Sequence, residues 1–157
     1  MSRWYSKVTR DPNDLTPVLD AYEYFEAEYE EAQKDLDIRG QRLETVQMRI
    51  PSIMAHRFAQ LQEIEAIMNY LEIRENQKLG ERRRHYIEHY NRDLSDRMAE
   101  KFAAADDEVV ALALLRNQIS LVRNKFLAFT KGLESLHYQL GNITKLRAAG
   151  MEDAILT

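Results

Sequence analysis

Residues 112–143 read LALLRNQISLVRNKFLAFTKGLESLHYQLGNI. Within them Leu112, Leu115, Ile119, Val122, Phe126, Phe129, Leu133, Leu136, Leu140 and Ile143 follow one another at alternating spacings of three and four. That alternation keeps one narrow stripe on one side of a helix for more than four heptads. A stripe so long and narrow must be covered by other helices. The spacing therefore predicts an all-α protein whose last helix, starting near Asp106 and Asp107 and reaching Arg147, is coiled-coil-like. Acids at its start favour the positive end of the helix.

Upstream, Tyr22, Phe25, Tyr29, Ala32, Leu36, Arg39, Leu43, Val46 and Ile50 repeat the same spacing. They predict a first long helix from Thr16-Pro17 to about Arg49, broken by Pro51-Ser52 because proline lacks the backbone donor. A second helix follows from Ser52, carrying Leu61, Ile64, Met68 and Leu71 and crossing Gly80. A break over Asn91 to Ser95, with Ser95 as N-cap, and a short helix to about Ala104 complete the pattern. Four segments result. Residues 1–16 form an N-terminal arm, 17–105 a helical hairpin with a basic and aromatic segment, 106–150 a long oligomerisation helix, and 151–157 a tail.

Composition agrees with a helical chain. Five Gly and three Pro in 157 residues are few punctuators, whereas a many-stranded fold needs turns. Cysteine is absent, so disulfides and thiolate chemistry are excluded. No stretch approaches eighteen apolar residues, and the start, Met1-Ser2-Arg3-Trp4-Tyr5, lacks a signal-peptide core, so a cytoplasmic protein without a membrane span is expected. The net charge of -4 hides a gradient. Residues 17–49 carry nine acids and four bases, whereas residues 109–147 carry six bases and one acid, Glu134. A polyanion could meet the basic half while avoiding the acidic one. Alternatively, the two halves attract each other.

Catalysis finds no support. There is no phosphate-binding glycine loop, no nucleophile elbow and no metalloprotease histidine pair. His85 and His89 are four apart but make an incomplete zinc site. No catalytic residue, metal or cofactor is expected. The segment Glu81-Arg82-Arg83-Arg84-His85-Tyr86, with Tyr90 one turn on, offers another chemistry. Arg82, Arg83 and Arg84 can meet phosphates while Tyr86 and Tyr90 stack on bases. Arg116, Arg123, Lys125 and Lys131 on the last helix make a second basic surface, whose other reading is pairing with acidic helices. The apolar seam also has two readings. Leu115, Ile119, Val122, Phe126, Phe129, Leu133 and Leu136 serve either as the core of an intramolecular bundle or, as preferred here, as the seam of a homo-oligomer.

The second half of the chain resembles the UvsY family, the small recombination-mediator proteins of T-even-like phages. The resemblance spans about Glu72 to Gly150. It rests on Asp106-Asp107-Glu108-Val109, on Leu127-Ala128-Phe129 with Gly132-Leu133, on the ending Ile143-Thr144-Lys145-Leu146-Arg147-Ala148-Ala149-Gly150, and on the basic, tyrosine-bearing segment before them. It implies a ring-forming oligomer that binds single-stranded DNA and helps load a recombinase onto strands coated by a single-strand binding protein, in the host cytoplasm. On this chain it makes Arg82, Arg83, Arg84, Tyr86 and Tyr90 the strand-binding residues. Departures from the family are the acidic balance and the absence of a lysine-rich stretch ending in adjacent tyrosines and glycine. A phage structural or packaging component, such as a small helical adaptor or terminase-like ring, would use the same heptads and charge asymmetry.

Overall fold

The computed structural model describes residues 3–90 and 94–151. Among them the secondary structure is helical throughout: α1 (Arg3–Val8), α2 (Thr16–Gln33), α3 (Leu43–His89), α4 (Asp96–Ala104) and α5 (Asp107–Ala148), with one 3-10 turn at Lys34–Leu36. The expected all-α fold with extensive helix–helix packing is what the structure has. The tail beyond Met151 and most of the expected break at Asn91 lie outside the described residues.

Helix boundaries follow from local chemistry. At α2, Asp14 Oδ1 accepts the N–H of Thr16 at 3.0 Å. At α5, Asp106 Oδ1 accepts the N–H of Glu108 at 3.1 Å, filling one of the orphan donors of a helix start. Ser95 does precede α4, but it caps through its backbone carbonyl, which accepts from Met98 and Ala99; its hydroxyl makes no cap bond.

The first long helix differs from expectation. It ends at Gln33, and the chain turns through Asp37–Arg42, with Gly40 at φ 71°, a conformation only glycine adopts freely. The heptad spacing runs across the turn because α2 and the start of α3 each present apolar residues to a core. Pro51 is not a break. It sits inside α3 as the ninth residue of 47, on an exposed face where its ring meets solvent. The helix gives up the bond to the Gln47 carbonyl there and continues.

Two compact units share these helices. The first comprises Met1–Glu26 and Gln62–Arg123. Its core holds Val18, Ala21 and Phe25 of α2, Ile64, Ile67 and Leu71 of α3, Ala99 and Ala103 of α4, and Leu112, Ile119 and Val122 of α5. Within it α3 and α5 run antiparallel, fixed by Glu65 with Arg123, Glu75 with Arg116 and Lys78 with Glu108. Residues of the expected N-terminal arm form α1. Trp4 is buried, its ring 5.2 Å from Tyr24, and the backbone N–H groups of Trp4 and Tyr5 both donate to Glu63 Oε1. A carboxylate at the positive end of α1 stabilises so short a helix.

The second unit comprises Ala27–Leu61 and Asn124–Thr157. Ala32, Phe129 and Leu133 form one cluster with Tyr29, Ile53 and Met54 packed on it. Val46, Ile50 and Leu140 form another, with Ile38, Leu43 and Leu136 around it. Higher residues of α3 meet lower residues of α5, so the pairing is antiparallel here too. A polar knot lies beside these clusters. Arg57, only 6 % exposed, donates to Glu28 Oε2 at 3.0 Å and to Asp35 Oδ2 at 2.9 Å, and Gln60 joins both Arg57 and Glu28.

The seam of α5 is covered by its own chain. Ile119, Val122, Phe126 and Leu133 are at most 1 % exposed, Phe129 is buried, and Leu115 and Leu136 are half-buried. The stripe expected to pack against a neighbouring copy packs against α2 and α3.

Candidate nucleic-acid interface

The segment marked by the sequence as strand-binding is largely engaged within the first unit. Arg82 lies 3.1 Å from Asp106 Oδ1 and donates to Glu108 Oε1 at 2.7 Å. Arg83 reaches Asp96 at 3.4 Å. The ring of Tyr86 packs 5.8 Å from Phe102, and Tyr90 stacks on the same ring at 5.9 Å and 23°. Arg84 is exposed and, alone of the three arginines, makes no close ion pair among the described residues, although its charge acts on Glu81 one turn away. The aromatic rings hold α4 against α3, and the arginines neutralise the acids at the start of α4 and α5. Lys78 belongs to the same network. Its ammonium bonds Glu81 at 3.0 Å and Glu108 at 3.1 Å; Glu81 foremost, then Glu108, raise its pKa. Lys78 in turn lowers the pKa of Glu81.

The second basic surface divides in the same way. Arg116 meets Glu75 at 2.7 Å, Arg123 donates from Nε and Nη2 to Glu65, and the Lys125 ammonium sits 5.6 Å from the ring centre of Tyr29. Pairing with acids of α3 is thus what Arg116 and Arg123 do. Lys131 differs, being exposed with no acid partner among the described residues.

Lys131 opens a line that the sequence reading did not connect. Tyr138 and Lys145 follow at intervals of seven, so the three share one face of α5 at steps of about 10.5 Å. Tyr138 is 72 % exposed, and Lys145, like Lys131, is exposed and unpaired among the described residues. Ordinary tyrosines bury most of their ring, so a phenol standing free between two free ammonium groups is unusual. The side chain of Gln47 sets the neighbouring register, donating to Thr144 Oγ1 at 2.7 Å and to the Leu140 carbonyl at 3.3 Å. On α3, Phe58 is a second exposed ring of this unit. It is 56 % exposed. The second unit therefore presents one accessible ring, Tyr138, in line with two lysines that lack an acid partner among the described residues, on the side of α5 away from its seam. The signal in sequence was the same seven-residue repeat, displaced from the apolar seam. It was masked by reading the repeat for packing alone.

Among the described residues no group of three or more His, Asp or Glu side chains is placed to hold a metal ion, and no helix is long and apolar enough to cross a membrane. No family model matches this chain, and neither does any curated protein or solved structure.

Proposed function

We propose that this chain is a non-catalytic accessory protein that binds single-stranded nucleic acid along α5 of its second unit. The observation that carries the reading is Tyr138 exposed between Lys131 and Lys145, neither of which has an acid partner among the described residues. Lysines attract the phosphate chain without regard to sequence, and an accessible ring can stack on any base. A duplex hides its base faces, so the arrangement favours single strands. The resemblance to recombination mediators supports the same reading and supplies its biological setting, loading of a recombinase in the presence of a single-strand binding protein.

The test is fluorescence anisotropy with a labelled oligothymidylate and a matched duplex at low salt. Single-strand binding is expected to be the tighter and to weaken as salt rises. Lys131→Glu with Lys145→Glu should weaken it at least about tenfold, and Tyr138→Ala by about fivefold or more. Absence of binding at low salt, or binding indifferent to both changes, overturns the proposal.

One observation favours a second reading, an assembling structural or packaging component. Val110, Leu114 and Leu121 lie on one side of α5 at spacings of four and seven, each 40 % exposed or more. Self-association, in a ring or otherwise, rests on this outer stripe in our proposal, since the inner seam is occupied. Assembly that depends on Leu114 and Leu121 without any affinity for single strands would select the second reading.

A further inference from the structure

Among the described residues, the core of the second unit is open at one end. A cleft of about 730 Å3 lies there between the entry to α3 and the end of α5. Its floor is apolar: Ile38, Leu43, Val46, Leu140 and Ile143. Val46 and Leu140 are core residues, and Ile143 is 43 % exposed, so the cleft continues the core outward. Two guanidinium-bearing residues, Arg42 just before α3 and Arg147 near the end of α5, also line it, with one carboxylate residue, Glu44. Neither arginine side chain has an acid partner among the described residues, in contrast to Arg57, Arg82, Arg83, Arg116 and Arg123.

From this geometry we infer that the cleft is a docking site for a short acidic peptide segment of a partner protein, with apolar side chains on the floor and two carboxylates on Arg42 and Arg147. The volume falls in the range of ~300–1,000 Å3 usual for ligand pockets and accepts a few side chains. The polar lining is already satisfied from within. Gln47 bonds Thr144 and Leu140, and Gln41 bonds the Asp37 carbonyl and Arg49. The floor therefore offers apolar contact, and the arginines supply the recognition. Guanidinium groups pair with carboxylates in a planar, two-pronged geometry. A single-headed amphiphile such as a fatty acid pairs with only one of the two guanidinium groups. A peptide with two acids satisfies both. The inference is independent of strand binding, which uses the exposed face of α5 at Lys131, Tyr138 and Lys145.

The experiment uses the full chain and a fluorescein-labelled pentapeptide with two aspartates followed by isoleucine, leucine and phenylalanine. Saturable anisotropy below about 1 mM is expected, with binding weakened at least about tenfold when both aspartates become asparagine. Arg42→Glu with Arg147→Glu should abolish binding, and Ile143→Asp should weaken it. These positions are exposed, and an unchanged far-ultraviolet circular dichroism spectrum verifies that the variants fold. No saturable binding, equal binding by the double-arginine variant, or a site that takes dodecanoate in preference to the peptide overturns the inference. Tyr138→Ala, which removes a ring from the strand-binding face and no charge, should leave peptide affinity within about twofold of the wild type, so the two proposals fail separately.

Discussion

Arg57 holds Asp35 through two hydrogen bonds, from Nε at 3.2 Å and from Nη2 at 2.9 Å, so the turn after α2 is tied to the interior of α3 by a buried cation. Glu28 completes the arrangement from α2. Removing one member leaves the others charged and partly desolvated. Arg57→Met should therefore lower the unfolding free energy by about 2–4 kcal/mol in urea denaturation, since breaking a buried pair costs more than deleting it whole. A loss below about 0.5 kcal/mol would show that water replaces the guanidinium without penalty.

The two apolar stripes of α5 should behave oppositely on mutation. Phe126 is fully buried within its own chain. Phe126→Ala should cost about 3–5 kcal/mol of stability by the cavity it leaves. Leu121, 57 % exposed, should tolerate Glu within about 0.5 kcal/mol. Light scattering checks the other half of the expectation: any self-association should be lost in Leu121→Glu.

Pro51 gives a prediction of opposite sign. Its position inside α3 denies a donor to the Gln47 carbonyl. Pro51→Ala restores that donor and should raise stability by about 1 kcal/mol, the helix gain being partly offset by a more flexible unfolded chain. A lower thermal midpoint in the variant would mean that α3 is shaped around the ring.

Acidity should act on Lys78 and Glu81 from both sides. The Lys78 pKa is raised in the fold, so its contribution is present below the ordinary lysine range and is lost as pH rises through the folded value. The Glu81 pKa is lowered, so its contribution is present above the ordinary glutamate range and is lost as pH falls through the folded value. The stability difference between wild type and Lys78→Met should be widest from about pH 5 to 10 and narrow on either side. It should be small throughout, because these groups face solvent. A difference that grew in acid would contradict the assignment.

Charge reversal at Arg82 and Arg83 separates packing from recognition. Both meet acids of the same unit. Arg82→Glu with Arg83→Glu should lower the melting temperature while leaving single-strand affinity at Lys131, Tyr138 and Lys145 within about threefold. A large loss of affinity at unchanged stability would return the strand site to α3.

Much of the fold was legible because period-3.5 spacing depends on local side-chain direction. It located α5 nearly to its ends and gave α4. What it could not convey was which chain supplies the covering helix: a seam looks alike whether it is buried by a copy or by α2 and α3. It also ran through the turn at Gly40, since Leu36, Arg39 and Leu43 keep step across two separate helices. Proline was weighted as a breaker where glycine at positive φ was the actual device. The candidate site was legible only in part. Arg82, Arg83, Tyr86 and Tyr90 have the right chemistry for a strand, but their acids and Phe102 lie up to 26 residues away, so their engagement is a tertiary fact. Tyr138 keeps the same heptad spacing, but an isolated tyrosine carries no charge pattern that marks it in sequence.

Trp4, the single tryptophan of the chain, rests against Tyr24 with its neighbouring amides on Glu63. Indole emission therefore reports on the first unit alone, since the second holds no tryptophan. Comparing that emission with total helicity during denaturation would show whether the two units melt together or in turn, with no label attached.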